Sequence, residues 1–254
     1  MMLVFFLFGL IMGSFLNCLV YRLRTGESML GRSHCPKCNK QIAWYDNIPL
    51  ASFLILRGRC RHCGEKISWQ YPAVELATGL LFATAFYMNF NSLDYSSTFF
   101  LWKMFRDLFF ISVMIIVFIY DLKWYLILDI VTLPAAVVLL VVNLILGINW
   151  QNLLISGIIG AGFFLFQFVV SRGKWIGGGD IRLGLVMGLG LGWPLLLSAM
   201  MIAYISGSIV GVGLILAGRK KMSSKLPFGV FLTTGSVITL FWGERIVEWY
   251  LGLL

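Results

Sequence analysis

Apolar residues run along this chain in long blocks, at 1–20, 73–90, 99–120, 126–147, 152–170, 181–194, 195–217 and 227–243. A helix that crosses a bilayer takes about 20 apolar residues. The pattern therefore predicts eight spans, with Trp193-Pro194 as the turn between the sixth and seventh. The sixth block is short, and merging it with the seventh would invert every later loop. The first block carries no positive charge ahead of its core and is followed by Arg22 and Arg24, the reverse of a secretory signal. It reads as a retained span with its N-terminus outside. One connection is long, residues 21–72. The expected fold is an all-α polytopic membrane protein of about eight transmembrane helices: a first helix over 1–20, a small polar domain over 21–72, and a membrane domain over 73–254.

Composition agrees: 59% of the 254 residues are hydrophobic and 12% charged, with a mean hydropathy of +0.89, which excludes a soluble globular protein. The net charge of +9 would suggest nucleic acid on a soluble chain, but here the distribution of the charge accounts for it. With eight spans and the N-terminus outside, seventeen Lys and Arg residues fall on the inner side, including Arg22, Arg24, Lys37, Arg57, Lys123, Arg182, Lys220, Lys221 and Lys225. Three, Lys103, Arg106 and Arg245, fall outside. The positive-inside rule then places the 21–72 domain in the cytoplasm, and no nucleic-acid partner is expected.

That domain holds four of the five cysteines, as Cys35-Pro-Lys-Cys38 and Cys60-Arg-His-Cys63 with 21 residues between the pairs. Two C-x-x-C pairs at such a spacing are built to share one tetrahedral zinc. The pairs are also halves of a repeat: Cys35-x-x-Cys38-x-x-x-Ile42-x-Trp44 recurs 25 residues later as Cys60-x-x-Cys63-x-x-x-Ile67-x-Trp69. Each pair is followed by an alternating apolar segment expected to pack beneath the metal. The alternative is a pair of disulfides, which a reducing cytoplasm disfavours. His34 and His62 offer substitute ligands, although four thiolates complete the shell. Cys18, alone in the first block, reads as a small buried side chain.

Ionisable groups at membrane depth usually mark function. Glu27, Asp46 and Glu65 belong to the cytoplasmic domain, Glu75 begins the second span, Asp94 and Asp107 lie near the outer edge, and Glu244 and Glu248 belong to the C-terminal tail. Asp121, Asp129 and Asp180 remain. Asp121 closes the third span, and Asp180 follows Gly177-Gly178-Gly179 and opens the sixth, so both lie at one depth on the inner side. Two carboxylates from different helices are the minimum for aspartyl-type hydrolysis, where one is protonated, one ionised, and both hold the attacking water. The plain alternative is that each only caps a helix. The three glycines would supply unusual backbone angles and admit a substrate strand, or form a flexible loop. Eight residues along a helix turn about 80°, so Asp121 and Asp129 face one point only if the helix breaks between them. Asp180, at a helix N-terminus, is expected to be the ionised member, and Asp121, at a helix C-terminus, to hold the proton.

These residues resemble the type IV prepilin leader peptidases, membrane aspartyl proteases of the G-x-G-D type. The resemblance runs through Gly13-Ser14-Phe15-Leu16-Asn17, Tyr21-Arg22-Leu23, Arg32-Ser33-His34-Cys35-Pro36-Lys37-Cys38, Trp44-Tyr45-Asp46-Asn47-Ile48-Pro49-Leu50, Leu56-Arg57-Gly58-Arg59-Cys60-Arg61-x-Cys63 and Tyr71-Pro72-Ala73-Val74-Glu75-Leu76. Asp121-Leu122 through Asp129 and Leu133-Pro134 is similar to the family's first aspartate motif, and Gly177-x-Gly179-Asp180 to its second. Two departures stand out. Leu128 occupies a place where the family usually has proline, and Arg182 one where it usually has lysine.

The resemblance implies an aspartyl peptidase over 73–254 that cleaves prepilin and pseudopilin precursors at the cytoplasmic face of a bacterial inner membrane, after a glycine that ends a basic leader and before a hydrophobic segment. It gives Asp121 and Asp180 the catalytic positions, with Asp129 as the rival, while Gly177, Gly178 and Gly179 are expected beside the substrate because glycine admits close approach. It further implies N-methylation of the new N-terminus from S-adenosylmethionine, although no glycine-rich nucleotide fingerprint is visible in 21–72. Zinc is expected to be structural, held by Cys35, Cys38, Cys60 and Cys63. Membrane lipid is the other expected partner. Two further classes are open: a transporter whose aspartates relay protons, which predicts polar groups at mid-depth in the spans, and a zinc-bearing scaffold without catalysis.

Overall fold

The computed structural model describes residues 1–28, 30–90, 98–219 and 226–253. Asp94, Lys220, Lys221 and Lys225 lie outside the described residues. The long helices follow the apolar blocks one for one. They are α1 (Met2–Thr25), α3 (Gln70–Phe90), α4 (Thr98–Trp124), α5 (Asp129–Ile145), α6 (Trp150–Ser171), α7 (Gly178–Leu191), α8 (Leu195–Leu216) and α9 (Phe228–Leu251). A five-residue α2 (Ala51–Ile55) and a 3-10 turn over Trp44–Asn47 lie between α1 and α3. Among the described residues β-structure is limited to two isolated bridges. Five helices, α1, α3, α6, α8 and α9, are long and apolar enough to cross a membrane, while α5 is apolar but shorter. The chain is thus a multi-pass membrane protein. The short sixth block is a separate helix, because α7 ends at Leu191 and α8 begins at Leu195. Gly192 between them is left-handed (φ 73°), and Asn152 of α6 holds the turn by accepting the Trp193 N–H and donating to the Trp193 carbonyl.

The chain forms two compact units, Met1–Leu93 and Asp94–Leu254. In the first, α1 ends where Gly26 turns left-handed (φ 71°) and its N–H returns to the Arg22 carbonyl, with Arg22 and Arg24 in the last turn beside the negative end of the helix dipole. The apolar pattern groups α3 with the later spans, yet it packs on α1. The reason is a seam of small residues: a methyl group added at Gly9 would stand 2.7 Å from Gly79 Cα, and one at Gly13 would stand 2.7 Å from Glu75 Cα. Such close approach is how membrane helices associate when lipid is as apolar as their side chains.

In the second unit α7 is the buried centre. Leu183, Val186 and Met187 are fully buried among Phe110 and Met114 of α4, Leu139 of α5, Leu196 of α8 and Leu232 of α9. Its glycines let α6 come close, and a methyl group at Gly184 would meet the Gly160 carbonyl oxygen at 2.5 Å. α4 stops at Tyr125, which is left-handed (φ 55°) and donates to the Asp121 carbonyl. Extended backbone at Leu128 then starts α5 at Asp129.

Candidate catalytic and metal sites

Asp121 and Asp180 come within electrostatic reach of each other in the second unit. Asp121, in the last turn of α4, and Asp180, in the first turn of α7, are each 6% exposed. Their carboxylates are near enough to interact electrostatically. One Oδ2 oxygen of Asp180 reaches back to accept the Gly177 N–H at 2.9 Å, the reach-back half of a capping box. One Oδ2 oxygen of Asp121 accepts the Val230 N–H at 3.2 Å, at the start of α9. Gly229 makes that approach available, since a methyl group there would stand 2.9 Å from the same oxygen. Ile127, in the linker after α4, lies against both Gly179 and Gly229 and so joins the three helix ends.

Several expectations change at this point. Asp121 was expected to differ from Asp180 by lying at a helix C-terminus, but it also faces a helix N-terminus, that of α9. Helix ends therefore do not distinguish an acid from a base between the two. The three glycines do not supply unusual backbone angles, because Gly177 has φ −86° and neither Gly178 nor Gly179 is left-handed. Gly179 is needed for closeness, since a methyl group there would stand 2.7 Å from Ile127 Cβ. Gly178 faces open space. The helix does break between Asp121 and Asp129, but Asp129 turns to an ion pair with Arg182. Its side chain is 51% exposed, against the two buried carboxylates. The cation at Arg182 thus neutralises the rival acid.

Sequence reasoning missed the start of α9 and the pair Tyr204–Gln167. Gln167 Nε2 donates to the Tyr204 hydroxyl at 2.7 Å, and Tyr204 is within electrostatic reach of Asp180. Pro227-Phe228-Gly229, a proline at a helix start, was the one available signal for the first. Nothing in the pattern of α8 marks Tyr204.

In the first unit the two C-x-x-C pairs form matching knuckles, and the 25-residue repeat extends to single hydrogen bonds. The Cys35 N–H donates to Lys40 and the Cys60 N–H to Glu65, the Asn39 N–H to Cys35 and the Gly64 N–H to Cys60, the Ile42 N–H to Ser33 and the Ile67 N–H to Gly58. Asn39 and Gly64 are both left-handed, as the tight return requires. The four Sγ atoms lie within 4.8 Å of one another, with Cys35 and Cys63 at 3.9 Å. Tetrahedral coordination with Zn–S of about 2.3 Å sets sulfurs roughly 3.8 Å apart, so the cluster fits a zinc-sized ion. All five cysteines are free, so the disulfide alternative is not realised. The N–H groups of Cys63 and His62 bring the Cys60 thiol down to about 7, while the neighbouring thiols help push Cys63 up to about 12. His34 pairs instead with Glu27 at 3.7 Å. Arg61 grips Asp46 with two hydrogen bonds of 2.8 and 2.6 Å and holds its carboxyl below the usual range, tying the 3-10 turn after the first knuckle to the second. The apolar segments do not both pack under the cluster: Ile42 and Ile67 are half-buried, but Trp44 and Trp69 are 73% and 76% exposed.

Comparison with known proteins divides the chain the same way. Residues 7–89 match the Bacterial Peptidase A24 N-terminal domain, and residues 108–212 the Type IV leader peptidase family. Over 99% of its length the chain is 33% identical to the "Prepilin leader peptidase/N-methyltransferase" of Bacillus subtilis (strain 168), covering 98% of that protein. Proteins of the same name from Aeromonas hydrophila and Legionella pneumophila are 32% and 31% identical, over 97% and 99% of this chain and 92% and 95% of theirs. No solved structure matches.

Proposed function

The chain belongs to the type IV leader peptidase family, and from that premise we propose that it is a membrane aspartyl endopeptidase that removes the basic leader of prepilin and pseudopilin precursors and N-methylates the new N-terminus. The observation that carries the reading is the pair Asp121 and Asp180, both buried and within electrostatic reach of each other from two different helices. One carboxylate takes a proton from water, whose oxygen attacks the carbonyl carbon of the glycine ending the leader. The other gives its proton to the carbonyl oxygen. Collapse of the tetrahedral species breaks the C–N bond as the departing nitrogen regains a proton. Gly178, in open space, is where a substrate strand approaches, with Gly177 and Gly179 shaping the loop.

The protein crosses a bacterial inner membrane eight times, with 21–72 and the aspartates on the cytoplasmic side. The seventeen-to-three charge asymmetry supports this orientation, and the peptidase domain is the second unit, Asp94–Leu254, rather than all of 73–254. Cys35, Cys38, Cys60 and Cys63 hold a structural zinc. When bound, S-adenosylmethionine supplies an electrophilic sulfonium methyl group. Membrane lipid is the remaining partner, and nucleic acid has no part. Nothing among the relatives supports the transporter alternative.

The test is incubation of the purified protein with a peptide bearing a basic leader, a glycine and an apolar segment. A single cut after the glycine is expected, followed by one methyl group on the new amine when S-adenosylmethionine is present. An uncut peptide refutes the reading.

A further inference from the structure

The first unit contains a cavity of about 660 Å³ whose walls are α1 and the segment leading into α2. Leu7, Ile11 and Phe15 line its apolar part, and Ser14, Asn47 and Arg22 its polar part. From Leu7 to Arg22 the helix rises about 22 Å, so the cavity follows α1 from apolar depth to the polar end of the span. Arg22 donates to the Gly31 carbonyl at 2.8 Å and closes that end. Behind Ser14 lies Glu75 of α3, which the peptidase chemistry does not use. Glu75 is 7% exposed, and no basic side chain pairs with it among the described residues. Its carboxylate accepts the N–H of Leu50 at 2.8 Å, and the Ser14 hydroxyl lies near enough to interact with it. Leu50 is a non-glycine residue in a sparsely populated left-handed conformation (φ 58°, ψ −48°) at the start of α2. One buried carboxylate of α3 thus lies beside α1 and holds the strained residue that follows the Asn47–Pro49 wall of the cavity, and such over-determined strain collects at functional sites.

Resting on the methyl-transfer half of the proposed function, we infer that this cavity is the methyl-acceptor site, taking the apolar segment of the cleaved precursor along α1 with its new amine at Ser14. The chemistry matches end for end. The occupant is an apolar helix headed by a cationic amine, and the cavity is an apolar trough headed by a hydroxyl backed by a carboxylate. The ammonium proton passes through the Ser14 hydroxyl to Glu75. The freed nitrogen lone pair attacks the sulfonium methyl carbon, the N–C bond forms as the S–C bond breaks, and that electron pair returns to sulfur, leaving a neutral thioether and a secondary ammonium.

The experiment uses the full-length protein in lipid with the leader peptide substrate, scoring cleavage and methylation separately by mass spectrometry. Ile11→Trp, which fills the trough, and Glu75→Gln, which keeps an acceptor for Leu50, should each lower methylation by about a hundredfold while cleavage changes less than about twofold. A second readout needs no variant: a pre-cleaved peptide with a photoreactive group beside its amine should cross-link to α1 around Ser14 or to the Asn47–Leu50 segment. Wild-type methylation in both variants, or cross-links confined to the second unit, overturns the assignment while leaving the proposed function standing. A wild-type protein that cuts no peptide overturns the proposed function instead.

Discussion

Asp121 accepts the backbone N–H of Val230 at 3.2 Å, across 109 positions of the chain. The contact gives Asp121 what Asp180 has from Gly177, a donor at the start of a helix, so the pair is held almost symmetrically although the acids reach it from opposite helix ends. It also makes the start of α9 part of the site.

Asp121→Asn and Asp180→Asn should each lower peptide cleavage by about a thousandfold or more. Asp129→Asn, at an exposed ion pair with Arg182, should retain most activity. The measurement is cleavage rate at matched thermal unfolding in detergent, which reports that the second unit is folded. A dead Asp129→Asn with an active Asp121→Asn would move the dyad to Asp129 and Asp180.

The glycine loop separates packing from substrate contact. Gly179→Ala presses a methyl group against Ile127 and should lower thermal stability in detergent by about 1–3 kcal/mol together with kcat. Gly178→Ala meets nothing within 4 Å, so its melting temperature should match the wild type, and any loss of activity should fall on KM as the substrate strand is displaced.

Metal analysis should find one zinc per chain. Cys60→Ser or Cys35→Ser should lose most of it and render the segment from 30 to 69 sensitive to protease, because so small a unit buries too little apolar surface to fold unaided. Asp46→Asn, which breaks the pair with half-exposed Arg61, should lower stability only slightly and keep the metal. Full zinc content in Cys60→Ser would refute the shared site.

The seam between α1 and α3 should resist any added side-chain atom. In Gly9→Ala the methyl group meets Gly79 Cα and the Thr78 carbonyl oxygen at 2.7 Å, and thermal unfolding should show a loss of about 1–3 kcal/mol. Gly162→Ala on α6 has nothing within 4 Å and serves as the neutral comparison.

Orientation is measured by thiol labelling in intact cells. A cysteine placed at Lys37 should resist an impermeant reagent, and one at Asn149 should react. The opposite pattern would reverse the topology drawn from the charge distribution.

The helices, their order and the zinc knuckles were legible in the sequence because they depend on neighbours in the chain. Block length and polarity decide where a helix starts and stops in or beside lipid, and Cys35-x-x-Cys38 with its copy at Cys60 carries its own turn and hydrogen bonds. The two aspartates stood out for the same local reason, as acids at the ends of apolar blocks. Only the tertiary structure decided what faces them. Val230 and Gly229 reach Asp121, Ile127 wedges between two helix starts, Arg182 draws Asp129 away, and Glu75 pins Leu50 through contacts between segments far apart in the chain, set by helix packing rather than by periodicity. The repeat makes Trp44 and Trp69 equivalent as well, yet tertiary packing leaves both exposed.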